Sequence, residues 1–141
     1  MHQSLTVELI RYLTSRAGSE ALALASSLSP GRASDAARLR KVCTRDQAWA
    51  VMELVELRSR GREKFSRAAE MFFDRTGYEQ ATGETVGRYK AHRLASAAPP
   101  GLVLDLCCGV GGDTLALAAE RDVLAIDRSE AKTQLARLNV G

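Results

Sequence analysis

Cysteine and histidine are too few, and too badly spaced, to build a metal site. Cys43, Cys107 and Cys108 form no C-x-x-C pair, and His2 and His92 stand at no zinc-ligand spacing from them. Adjacent cysteines such as Cys107 and Cys108 close no ordinary disulfide without strain, so reduced thiols are expected. Long apolar runs are missing too: none approaches the ~20 residues needed to cross a membrane. Glu8 and Arg11 interrupt the stretch where a signal peptide would need an unbroken apolar core. Together these absences predict a cytoplasmic protein with no metal and no membrane partner. What is present, 45% hydrophobic and 26% charged residues, suits a globular chain rather than a disordered one. A length of 141 residues allows one ordinary domain or two small ones.

The net charge of +3 is unevenly spread. Residues 1–100 hold 16 Lys and Arg against 11 Asp and Glu, and residues 101–141 hold 4 against 6. A basic first part joined to a mildly acidic second part suits an anionic macromolecule bound beside a small-molecule site; ordinary solvated helices would show the same balance. The densest basic run is RSRGREKFSR, with Arg58, Arg60, Arg62, Lys64 and Arg67 around Phe65 and only Glu63 opposing. Cations with an interleaved aromatic can meet phosphates and stack on bases, which makes these five residues the candidate nucleic-acid contacts. A solvated helix face is the plainer reading.

Hydrophobic spacing predicts a helix over 4–17, with Leu5, Leu9, Ile10 and Leu13 on one stripe and Gly18 after it. An alanine-rich helix over 19–28 follows, then a break at Ser29-Pro30-Gly31 and a short helix over 33–42. Thr44 and Gln47 form a capping box ahead of a long helix over 45–60. Its apolar face includes Ala48, Val51, Met52 and Val55, widened by Trp49 and Leu54. Met71 to Phe73 reads as a short extended piece, with a turn near Gly77, a cap at Thr82 and a helix over 83–97. After Pro99-Pro100-Gly101 the pattern becomes strand (102–106), glycine loop, helix (113–120), strand (123–126) and helix (129–138), the last with Ala131, Leu135 and Leu138 on one face. The expected organisation is a helical domain over 1–68, a connecting segment and helix over 69–100, and a β-α-β-α unit over 101–141, the opening of a doubly wound parallel sheet.

The loop DLCCGVGGDT, Asp105 to Thr114, carries the functional signal. Glycines let a strand-to-helix turn bend tightly and approach a ligand, and Asp113 and Thr114 are placed to cap the helix that follows. The dinucleotide fingerprint G-x-G-x-x-G fails, because Gly109 and Gly111 are followed by Thr114 in the last slot. The Gly-Lys-Ser/Thr of a P-loop is absent. Asp105 at the end of the first strand would repel a pyrophosphate but suits an ammonium and a sulfonium. Asp127 at the end of the second can accept both hydroxyls of a ribose. An amino-acid end beside one acid and a ribose beside the other describe S-adenosyl-L-methionine, against the plainer alternative of a generic nucleotide-binding half-sheet with incidental acids.

VLDLCCGVGGDTLALA followed by VLAID resembles motif I and its successor in class I S-adenosylmethionine-dependent methyltransferases. GYEQATGE together with LDLCCGVGGDT is similar to bacterial relatives of trimethylguanosine synthase, which are RNA methyltransferases with a helical N-terminal region. The resemblance covers about Lys64 to Asn139. It implies an α/β fold in which an N-terminal all-helical domain precedes the first βαβα of a Rossmann-like sheet. It implies S-adenosyl-L-methionine as cofactor and RNA as partner. It also implies that Asp105, Gly109 and Gly111 surround the methionine part, with Cys107 in a position often taken by glycine, and that Asp127 holds the ribose. Thr82 matches the Thr of a TPE segment that touches the cofactor in that family, although Gly83 stands here for the proline; a plain helix N-cap is its other reading.

Cys107 and Cys108 are then expected to be snug loop residues at the floor of the cofactor pocket, not nucleophiles. The residues that would position the methyl acceptor are expected beyond Gly141, so the chain reads as the N-terminal part of a methyltransferase, carrying the cofactor half of the site. Two other classes compete: a non-enzymatic helical nucleic-acid-binding or interaction module with a remnant half-sheet, and a nicotinamide-dependent enzyme.

Overall fold

The computed structural model describes residues 4–27 and 37–141. Helix α1 (Val7–Leu13) opens at Thr6, whose hydroxyl accepts from the Leu9 N–H at 3.3 Å. Helix α2 (Arg16–Ser26) begins almost at once under Ser15, whose hydroxyl accepts from the Gly18 N–H at 3.1 Å. The break between the two expected helices thus falls at Thr14-Ser15 instead of at Gly18, and Gly18 lies in the first turn of the second. The reason is a close approach: a Cβ on residue 18 would sit 2.0 Å from the Tyr12 carbonyl oxygen, so only glycine lets α2 start against the end of α1.

The break expected at Ser29-Pro30-Gly31 and the start of the helix expected over 33–42 lie outside the described residues. Within them, 37–39 are helical and 40–42 turn, which buries Leu39 completely. Helix α3 (Arg45–Gly61) has the predicted capping box: the Thr44 hydroxyl accepts from the Gln47 N–H at 3.3 Å, and the Gln47 side chain accepts from the Thr44 N–H at 2.9 Å. Its buried face is centred on Ala50, Val51, Leu54 and Leu57. Met52 and Val55, expected at the centre, are half-buried, and Leu54, expected at the margin, is buried. Both α1 and α2 pack on α3, and their joint footprint moves the stripe to the 50-54-57-61 row.

Asp74 caps helix α4 (Arg75–Gln80), accepting from the Gly77 N–H at 3.1 Å, so the turn expected near Gly77 is a helical turn. Helix α5 (Glu84–Ala97) starts from Gly83 with no side-chain cap. Thr82, expected as that cap, instead gives its hydroxyl to Asp113 at 2.8 Å. Strands β1 (Val103–Leu106) and β2 (Val123–Ile126) pair in parallel, Val103 opposite Val123 and Leu106 opposite Ile126. Helix α6 (Gly112–Ala118) connects them, and α7 (Glu130–Val140) follows under a Ser129 cap. These bounds fall within two residues of the predicted ones. The fold is mixed: helices with a small two-stranded parallel sheet, an α/β arrangement.

One buried cluster runs from Leu5, Ile10 and Leu13 through Leu54, Leu57, Phe65 and Phe73 to Val110 and Leu135. Helix α7 packs against α1 as well as α6, so the helical part shares a core with the glycine loop and α7, a core that no strand residue enters. On α7 the buried row is Leu135, Ala136 and Asn139. Leu138, expected on the core face, is exposed, because the i, i+4, i+8 row from Ala131 reaches residue 139 instead. The sheet has one half-buried side, Val103, Asp105, Val123 and Ala125, in contact with α6 and α7. On the other side Leu104, Leu106, Leu124 and Ile126 are exposed at 55, 66, 49 and 42%. No helix among the described residues is long and apolar enough to cross a membrane.

Candidate functional site

The loop between β1 and α6 turns on three left-handed residues, Cys107 (φ 64°), Gly109 (57°) and Gly111 (86°). Glycine adopts this region freely and other residues do not, so Cys107 occupies a glycine-type position. Gly111 is the N-cap of α6 and makes no side-chain cap. Asp113 and Thr114, expected to cap that helix, are used otherwise: the buried Thr114 hydroxyl donates to Asp105, and Asp113 accepts from Thr82 at 2.8 Å and from the Lys90 ammonium at 2.7 Å. The helix starts one residue earlier than expected, which turns both side chains away from its free N–H groups.

A cleft of about 570 Å³ opens over this loop, within the range of small-molecule sites. Thr82, Asp105, Cys107, Gly109 and Asp127 all line it, beside Asp113 and Lys132. Five of the six residues singled out for the cofactor thus meet in one place. Gly111 lies behind, where a Cβ would come within 3.1 Å of the Ala136 backbone.

The two acids that matter most are partly spoken for. Asp127 accepts from the Gly109 N–H at 3.1 Å and from the Ser129 N–H at 2.9 Å, so its carboxylate ties the glycine loop to the start of α7. Each oxygen makes one bond, and a carboxylate has about four acceptor positions. Asp105 holds Thr114 through one oxygen, and the other has no protein partner among the described residues. The cleft therefore offers acceptors for hydroxyls and cations at the ends of both strands. Of the two cations that line it, Lys132 grips Asp74 at 2.5 and 2.8 Å, while Arg128 makes no ion pair among the described residues. Acceptors of this kind can meet an ammonium and ribose hydroxyls.

The cysteines divide. Cys107 is exposed on the cleft, while Cys108 is buried. Burial first, then the charges of Asp105 and Asp127, push the Cys108 thiol up to about 11. It is a neutral thiol at neutral pH, a poor nucleophile.

The basic run has intramolecular work. Arg58 donates to the Met71 carbonyl at 2.8 Å and lies 4.9 Å from the Phe72 ring centre, and burial lowers its pKa from the usual arginine value. The Lys64 ammonium donates to the carbonyls of Tyr78, Glu79 and Ala81 at 2.8–3.2 Å, closing the C-terminal end of α4. Arg60 pairs with Glu56 and Arg67 with Glu70. Of the five, only Arg62 has no such partner among the described residues.

Lys90, Lys132 and Asn139 are not marked by the sequence as part of this arrangement, and Asp113 is marked only as a helix cap. Asp113 stood inside the quoted loop motif; the others carry no local signal, because their partners are 23 to 67 residues away.

The family described as a domain of unknown function (DUF8688) matches residues 6–61, the span of α1 to α3. No curated protein and no solved structure matches the chain.

Proposed function

We propose that the chain carries the S-adenosyl-L-methionine site of a class I methyltransferase with a Rossmann-like sheet, and that its methyl acceptor is RNA. The observation that carries this reading is the convergence of Thr82, Asp105, Cys107, Gly109 and Asp127 on one cleft, with acceptor capacity left at the two strand ends. When bound, the cofactor supplies an electrophilic methyl group on a sulfonium. The chain's own residues bind and orient it: Asp105 attracts the ammonium, Asp127 takes the ribose hydroxyls, and the left-handed loop lets the backbone approach the methionine part. RNA as acceptor rests on the family resemblance and on the basic balance of residues 1–100.

The shared core weighs against the reading of a helical module with a remnant half-sheet, since Val110 and Leu135 are built into the same cluster as α1 and α3. A nicotinamide cofactor is disfavoured by Asp105 and by the failed fingerprint.

The direct test is calorimetric titration of the chain with S-adenosylmethionine, S-adenosylhomocysteine and NADH. Binding of the first two and not the third is expected. Asp127→Ala should weaken it by about 2–3 kcal/mol, the scale of charge-assisted hydrogen bonds. Equal affinity in the variant, or binding of NADH alone, would remove the methyl donor from this cleft.

A further inference from the structure

Helix α5 presents a face to solvent that its packing does not explain. Gly87 and Ala91 are buried, while Val86 and Tyr89 on the opposite side are 57 and 62% exposed. Val86, Tyr89 and Arg93 fall at i, i+3 and i+7, one stripe of the helix, with Lys90 on one flank and His92 on the other. The Arg93 guanidinium lies 5.8 Å from the centre of the Tyr89 ring. The only acid on the helix, Glu84, sits in its first turn, where it accepts from the Ser66 N–H at 2.7 Å and pairs with Arg88.

We infer that this face, Val86, Tyr89 and Arg93 with Lys90 and His92, is a docking surface for single-stranded RNA. The aromatic ring offers a stacking platform that any unpaired base can use. Arg93 stands beside it, able to cover the base or meet its phosphate. The Tyr89 ring with Arg93 beside it offers a flat, cationic platform, which an unpaired base and its phosphate match better than an acidic side chain does. The surface also leads to the cleft: Lys90 bridges to Asp113 at 2.7 Å and reaches Thr82 at 3.4 Å. RNA lying along α5 would deliver a nucleotide to the glycine loop, so the inference rests on the proposed methyl-transfer reading for its purpose, though not for its binding test. It also places nucleic acid away from the 58–67 run; because Lys90 is itself paired with Asp113, Arg93 carries the available charge of this face.

The test is fluorescence anisotropy of the full chain with a labelled single-stranded RNA of about twelve nucleotides. Tyr89→Ala should weaken binding about tenfold, and Tyr89→Phe, which keeps the ring, should restore it. Arg93→Ala should weaken binding and reduce the slope of affinity against salt by about 0.7. Arg62→Ala should change little. Absence of binding at low salt, indifference to Tyr89→Ala, preference for duplex RNA, or loss through Arg62→Ala instead would each overturn the inference. Cofactor titration separates the two readings. RNA binding that depends on Tyr89 without cofactor binding would sink the methyltransferase proposal and leave the surface standing; cofactor binding without RNA binding would do the reverse.

Discussion

The Asn139 side chain pairs with the backbone of Phe72 as a neighbouring strand would. Its oxygen accepts from the Phe72 N–H at 2.7 Å and its amide donates back to the Phe72 carbonyl at 2.9 Å. The same amide donates to the Val110 carbonyl at 2.8 Å. One buried residue near the end of α7 thus joins the 71–73 segment to the glycine loop, across 67 and 29 positions of sequence. Asn139→Ala should cost about 2–4 kcal/mol, because it leaves several buried backbone groups without partners. Asn139→Asp should be no better, since its charge would face two carbonyls. Urea unfolding followed by circular dichroism measures both, and a loss below about 1 kcal/mol in the alanine variant would show that water replaces the amide without cost.

Cys107 in the left-handed region sets up a comparison of substitutions. A side chain there costs about 1 kcal/mol, whereas glycine avoids that strain but gains freedom in the unfolded chain worth about 0.5–1 kcal/mol. Cys107→Gly should therefore be neutral within about 0.5 kcal/mol. Cys107→Val should be destabilising by roughly 2 kcal/mol, since a β-branched residue is least tolerant of positive φ. If valine were tolerated as well as glycine, the loop would not hold the conformation described.

The two adjacent thiols should react at very different rates. With its pKa pushed up to about 11 by burial and two carboxylates, Cys108 is about one part in a thousand thiolate at pH 8. Iodoacetamide at that pH should label exposed Cys107 first and leave Cys108 unmodified until the protein unfolds. Peptide mass spectrometry resolves the two in the native protein and in urea. Because the folded-state pKa lies above the ordinary thiol value, this group's contribution to stability is complete below pH 9 and is lost as pH rises toward 11. Equal labelling of both cysteines in the native state would place Cys108 at the surface.

The parts of the structure written in neighbouring residues were the legible ones. Thr44 with Gln47, the glycine loop, and the acids Asp105 and Asp127 each carry a signal within a few positions, because caps and strand-to-helix turns are local devices. What was not legible depends on distant partners. Asn139 reads as one more polar position on an amphipathic helix until Phe72 and Val110 are set beside it. Gly18 looked like a helix stop, and only the approach of the Tyr12 carbonyl shows that it is a helix start. The basic run reads as either a phosphate-binding surface or a solvated helix face, because charge is visible in sequence and the partner of each cation is not. Arg58 and Lys64 spend their donors on carbonyls of residues 70–71 and 78–81. Val86 and Tyr89 carry no signal in the sequence, because the same residues on a buried face would be ordinary.

The bare side of the sheet has a measurable consequence. Leu104 stands opposite Leu124 and Leu106 opposite Ile126, so four aliphatic side chains form one contiguous apolar square, and Leu102 beside them is 61% exposed. Apolar patches of this kind bind hydrophobic dyes and other apolar surfaces. The native chain should enhance the fluorescence of 8-anilinonaphthalene-1-sulfonate well below its unfolding transition. Replacing Leu104 and Leu106 together by threonine keeps strand propensity and removes half of the square. That double variant should lose at least about half of the dye signal while its stability shifts by no more than about 0.5 kcal/mol per site, as expected for exposed positions. An unchanged dye signal would place the binding elsewhere. A loss of several kcal/mol would mean that these leucines are packed in the native protein.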